Sequence, residues 1–215
     1  MFEDREDAGR QLAGALRQYK DTPAIVLAIP RGGVEIGYQV ANALDVDFSL
    51  LISRKLPFPD NPESGFGAIA EDGSVFIHPE AAQGIPPAVI DAIIEYQKEE
   101  IARRIKVLRD NQPLPELGQR TVILVDDGIA MGSTMRAAIK LCRAKKVERI
   151  IVAAPVAGER VVQEMQGLVE QIIILAMPRF FYAVAQVYRN WRDVSDQEVL
   201  EIMKKWRERP GGRKR

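Results

Sequence analysis

The chain has 215 residues, 47% of them apolar and 28% charged, with 30 basic and 30 acidic side chains. That length is enough to bury one α/β core, with or without a small subdomain. Zero net charge gives no general pull toward nucleic acid or an anionic membrane, and one cysteine with one histidine excludes an internal disulfide framework, a thiolate metal cluster and a multi-histidine metal site.

The first residues, MFEDREDAGRQL, are charged and lack the apolar segment of a signal peptide. No apolar run approaches the length of a membrane span, so a cytoplasmic protein is expected. Residues 5–19 carry Ala8, Leu12, Ala15, Leu16 and Tyr19 at helical spacing and predict an amphipathic helix. AIVLAI at 24–29 is a continuous apolar run, the pattern of a strand buried on both faces of a parallel sheet. Pro30-Arg31-Gly32-Gly33 breaks it, and a helix is expected over 34–44. A second buried strand is predicted at 48–52, ending at Ser53-Arg54-Lys55.

LPFPDNPESGFG at 56–67 is so rich in Pro and Gly that a long loop is expected. Residues 68–70 and 74–77, split by Glu71-Asp72-Gly73, predict a hairpin. His78 ends that run before Pro79 and is read as structural. Residues 86–109 predict one long helix, with prolines suited to its first turn and Glu99/Arg103 and Glu100/Arg104 paired four apart. A linker follows at 113–119. TVILV at 121–125 is the third buried strand, with a helix over 133–144 in which Cys142 reads as a small buried hydrophobe.

Two more strands are expected at 149–154 and 171–175, around a short helix at 159–166. A last helix runs over 195–207, with Ser195 and Glu198 spaced as a capping box. The basic segment 207–215 reads as a frayed terminus. Strands alternating with helices predict an α/β fold with a doubly wound, mainly parallel sheet flanked by helices. Ligands bind such sheets at the carboxyl ends of the strands, which groups the loops after residues 29, 52 and 125.

The last of these loops carries the sharpest signal. TVILVDDGIAMGST ends a buried strand on two carboxylates, Asp126 and Asp127, which repel each other and lose hydration there. Ala130-Met131-Gly132-Ser133-Thr134 then leads into a helix, whose first free N–H groups, with two hydroxyls and a glycine, make a phosphate-sized anion site. A ligand with hydroxyls for the acids and a phosphate for the loop resolves the tension; a ribose 5-phosphate has both.

VILVDDGIAMGST resembles the phosphoribosyl-pyrophosphate (PRPP) motif of type I phosphoribosyltransferases, and over about residues 24–175 the order of motifs is similar to orphan members of that family with unassigned acceptor. The resemblance implies one phosphoribosyltransferase-like domain over 1–215, with a helical insertion and linker at 86–118 and a hood and helix at 178–207. It implies that Asp126 and Asp127 contact the ribose hydroxyls, and through them or water a Mg²⁺ cofactor, while Ala130, Met131, Gly132, Ser133 and Thr134 hold the 5-phosphate. Arg31, Gly32 and Gly33 correspond to the pyrophosphate loop. Arg54 and Lys55 correspond to the start of the flexible loop that closes over the reacting centre.

Two positions depart from the family pattern. Met131 replaces a threonine common in relatives. Ala130 stands where 6-oxopurine enzymes carry an Asp, which speaks against that purine reaction, and His78 offers no substitute. In the hood, Phe180, Phe181 and Tyr182 either stack on an aromatic acceptor or anchor the last helix. The implied activity is transfer of a phosphoribosyl group from PRPP to a small nitrogenous acceptor, releasing pyrophosphate. The alternative is a PRPP or nucleotide sensor on the same fold. Neither the P-loop G-x-x-x-x-G-K-[ST] nor the dinucleotide fingerprint G-x-G-x-x-G occurs. The acceptor and the oligomeric state, a homodimer included, are left open.

Overall fold

The computed structural model describes residues 1–209, so most of the basic terminal segment lies outside the described residues. A five-stranded sheet runs in the order β2-β1-β6-β7-β8, with β1 at Ile25–Ala28, β2 at Asp47–Leu50, β6 at Thr121–Val125, β7 at Arg149–Val156 and β8 at Gln171–Ala176. Every neighbouring pair is parallel. The sheet is covered on both faces, which is why its central strands are apolar runs rather than alternating ones. Val26, Ala28, Ile123 and Val125 face a layer that includes Leu12 of α1 (Arg5–Ala15), Val40 of α2 (Gly32–Leu44) and Val199 of α6 (Asp196–Glu208). Ile25, Leu27, Val122 and Leu124 face Ala137 and Leu141 of α4 (Ser133–Ala144) and Met165 of α5 (Glu159–Met165). Each such large aliphatic side chain stabilises the fold by roughly 1.5–3 kcal/mol.

Cys142 is fully buried, and burial pushes its thiol up to about 12, so it packs as a hydrophobe and carries no thiolate near neutral pH. The expected capping box of α6 is present, with Glu198 N–H donating to Ser195 Oγ and the Glu198 carboxylate accepting from the Ser195 N–H. The first helix is shorter than its periodicity predicts. It ends at Ala15 before a 3-10 turn at Arg17–Tyr19, and Ala13 rather than Ala15 is buried. Among the described residues no helix is long and apolar enough to cross a membrane.

The main correction concerns residues 56–67. They form a hairpin, not a loop: β3 (Ser53–Phe58) and β4 (Asn61–Ala70) pair antiparallel, and β5 (Val75–Ile77) completes a second, three-stranded sheet. The prolines mislead because Pro57 lies on the edge strand β3, Pro59 falls in the turn and Pro62 lies in the exposed start of β4. Pro57 sits at a register shift, where a missing N–H costs little. The last six residues of β4, from Gly65 to Ala70, are buried, while its first three are exposed.

The long α3 (Pro87–Arg109) lies on this second sheet and ends on a buried ion pair. Arg109 donates to both oxygens of Glu71 and to the carbonyl of Leu50, and Glu71 also accepts from the Ile52 N–H. The two side chains are 5% and 8% exposed. Glu71→Ala strands Arg109 without its counter-charge, so a loss of about 3–5 kcal/mol is expected from the urea denaturation midpoint. A loss under about 1 kcal/mol would mean that water replaces the carboxylate at no cost.

Candidate functional site

From β1 the chain moves to β2 on one side, while β6 lies on the other side of β1. The carboxyl ends of β1 and β6 are therefore the switch point of the sheet, with Ala28 beside Val125 in register. The loops after these two strands are pressed together. A methyl group on Gly32 would stand 1.8 Å from Asp127 Oδ2, and one on Gly33 would stand 2.9 Å from Asp126 Cα. Only glycine permits this approach, and both glycines already belong to the first turn of α2.

The two acids are placed differently. Asp126 borders a cavity of about 380 Å³, also lined by Lys55, Ile129, Gly132, Ser133 and Tyr182. Its Oδ1 accepts the N–H of Asp127 at 2.8 Å. Asp127 turns toward α1, where its Oδ2 accepts from Arg5 Nε at 2.8 Å, and its main-chain carbonyl accepts from the Tyr188 hydroxyl at 2.7 Å. Burial pushes the Asp126 carboxyl well above its ordinary range, and the charge of Asp127 adds to this. Burial raises Asp127 as well, against the pull of the Arg5 guanidinium. The pair therefore titrates as a unit.

Beyond them, Gly132 adopts φ 72°, the left-handed conformation that starts α4 at Ser133. The free N–H groups of α4's first turn border the same cavity as Asp126. Ala130 and the half-exposed Met131 form its outer edge and also border a second groove of about 540 Å³ that contains His78.

A family model described as the phosphoribosyl transferase domain matches residues 2–172. This chain belongs to the phosphoribosyl transferase family. It is 38% identical over 205 residues to a Mycobacterium tuberculosis protein named "Putative phosphoribosyl transferase", covering 94% of this chain and 46% of that protein. The chain thus spans about half the length of the curated relatives it matches. It is similar to the crystal structure of TT1426 from Thermus thermophilus, with 32% identity, a TM-score of 0.79, and 95% and 98% of the two chains covered.

In this phosphoribosyl transferase chain the other expected site residues divide. Arg54 and Lys55 are neighbours on β3 and point to opposite sides of it. Lys55 faces the cavity, its ammonium donating to the Glu63 carbonyl, and burial lowers its pKa. Arg54 faces α3 instead, its Nε donating to Gln97 at 3.0 Å. Arg31 stands 3.7 Å from Asp196 at the start of α6. Tyr182 lines the cavity and is 84% exposed, Phe180 is exposed, and Phe181 packs against the core. The three aromatics therefore do not form one stacking platform.

Sequence reasoning missed Arg5. It is 5% exposed, donates to Asp127 and to the Arg192 carbonyl, and lies 3.9 Å over the Trp191 ring. The signal was available: Arg5 precedes Ala8 by three positions and Leu12 by seven, so it lies on the apolar stripe of α1. A cation there requires a buried partner.

Proposed function

We propose that this protein binds PRPP with Mg²⁺ and transfers its phosphoribosyl group to a small nitrogenous acceptor. The observation that carries this reading is the crevice between β1 and β6. There an acidic edge, a glycine-bounded helix N-terminus and the tight Gly32-Gly33 turn stand one loop apart. Asp126 accepts from the ribose hydroxyls. The N–H groups of α4, with Ser133 and Thr134, take the 5-phosphate. The first turn of α2 and Arg31 take the pyrophosphate. Asp127 holds the pyrophosphate turn against the acidic edge through its contact with Gly32.

The acidic pair is a sparse, all-oxygen donor set, which suits Mg²⁺ shared with water and phosphate oxygens. When bound, the cation neutralises charge on the pyrophosphate. The acceptor nitrogen forms a bond to ribose C1 as the bond from C1 to the pyrophosphate oxygen breaks. The electron pair leaves with pyrophosphate, and the proton displaced from nitrogen passes to solvent. Lys55, facing the cavity from β3, supplies charge to the leaving group, and the chain contributes chiefly positioning and electrostatics. Tyr182 at the rim is the side chain best placed to meet an acceptor.

Calorimetric titration with PRPP, with and without Mg²⁺, tests the reading. Mg²⁺-dependent binding is expected, followed by acceptor-dependent pyrophosphate release when nitrogenous acceptors are screened. Binding without release for any acceptor would favour a sensor. No binding under either condition would sink the PRPP assignment.

A further inference from the structure

The only histidine in the chain touches the anion loop. His78 follows β5, its main-chain N–H is held by the Phe66 carbonyl, and its ring packs edge-on to Phe76 at 4.7 Å. That anchoring aims Nε2 at Ser133 Oγ, 3.1 Å away. Ser133 is 8% exposed and is the first residue of α4. Met131 brings no hydroxyl to the loop, so Ser133 and Thr134 supply the hydroxyls of residues 130–134. The direction of the Ser133 O–H is therefore consequential, and His78 is the side chain in contact with it.

A bound phosphate dianion is an acceptor only, so Ser133 can serve it only by donating its proton. The Ser133 oxygen must then accept from elsewhere. We propose that His78 is a positioning residue for the phosphate: its Nε2–H donates to Ser133 Oγ and turns the hydroxyl proton into the loop. The inference rests on the reading of residues 130–134 as the 5-phosphate site. The opposite arrangement, with Ser133 donating to a bare Nε2, presents oxygen lone pairs to the anion and opposes binding.

A doubly protonated imidazolium donates from Nε2 as well, so the relay survives protonation, and a bound dianion favours it. The charged groups around the ring come from two helices and from the segment after β5. Arg136 on α4 lies over Phe76, and Arg160 and Glu164 on α5 form the far wall of the groove, with Glu164 bonded to both arginines. Glu80 lines the same groove. Burial and then Arg136 hold the free imidazole below its ordinary pKa, with Glu164 acting the other way. A dianion at Ser133 raises that pKa. By linkage the anion binds more tightly as pH falls through the window between the free and bound values.

Sulfate and ribose 5-phosphate are the probes, and sulfate keeps its charge across about pH 5 to 8, where histidine titrates. Imidazole ¹⁵N chemical shifts of the lone histidine report both tautomer and pKa. With ribose 5-phosphate bound, the Nε2–H tautomer and a raised pKa are expected, and sulfate affinity should rise several-fold from about pH 8 to about pH 5. His78→Ala should weaken ribose 5-phosphate binding about tenfold. His78→Gln, which keeps an N–H donor but does not titrate, should recover most of the loss and reduce the pH dependence for sulfate, leaving the part that comes from Asp126, which borders the same cavity, and its neighbour Asp127. Wild-type binding with an unprotonated Nε2, or with an unmoved imidazole pKa, overturns the inference alone. Absence of ribose 5-phosphate binding to the wild type overturns the phosphate-site reading and this inference together.

Discussion

Asp126→Asn is expected to weaken PRPP binding about 100-fold while raising the melting temperature at neutral pH. On the proposed PRPP reading, the affinity loss follows from replacing a charged acceptor with a neutral amide opposite two ribose hydroxyls; hydrogen bonds to charged groups contribute about 1.5–3 kcal/mol each. The stability gain has a separate cause. Asp126 and Asp127 are adjacent carboxylates in one crevice, and the Arg5 guanidinium is bonded to Asp127, not to Asp126. Both carboxyls are raised above their ordinary range, Asp126 the more. A raised carboxyl contributes stability that is fully present below its unfolded pKa and is lost as pH rises through the folded one. Wild-type stability should therefore decline as pH rises above the ordinary carboxyl value of 3.8, and Asp126→Asn should flatten that decline. Thermal melts across pH, paired with PRPP titrations, read both effects. Affinity within threefold of wild type would remove Asp126 from the ribose site, and an unchanged pH slope would remove it from the coupled pair.

The sequence made the parallel sheet legible because β1 and β6 are covered on both faces, and only near-continuous apolar runs survive there. It also made the strand–loop–helix step into α4 legible, since the apolar run 121–125 gives way to small residues and then to a helical pattern from Ser133. What it concealed depended on long-range packing. Pro57 and Pro62 look like breakers, yet Pro57 sits at a register shift on the edge strand β3, and Pro62 lies among the exposed first residues of β4, outside its paired positions. Once that segment is a strand, the separation of Arg54 from Lys55 follows from simple alternation. Asp126 and Asp127 look equivalent as neighbours in a motif. They differ because Arg5, from a helix 122 positions earlier, captures only one of them. Local spacing could show that Arg5 needs a partner, but not which carboxylate answers it.

Arg5→Met should therefore act on the site without touching ligand. The Arg5–Asp127 pair is buried, with side chains 6% and 14% exposed, so removing the cation is expected to cost about 3–5 kcal/mol. At roughly 2–4 °C per kcal/mol for a chain of this size, the melting temperature should fall by about 10 °C. The pH dependence should steepen, because Arg5 is what pulls the Asp127 carboxyl down against burial. Without it that carboxyl rises further, and more stability is lost as pH rises through the higher value. Arg10→Met removes an exposed pair with Glu6 and should change little. Adding Asp127→Asn to Arg5→Met separates the Asp127 contact from the others that Arg5 makes, to Glu35, the Arg192 carbonyl and the Trp191 ring. If Arg5 acts through Asp127, the double variant regains much of the lost stability, because the stranded carboxylate is gone. If the losses simply add, Arg5 contributes mainly through its contacts with Trp191, Glu35 and the Arg192 carbonyl, and the clamp between α1 and the Gly32-Gly33 turn is not what holds the acidic edge in place.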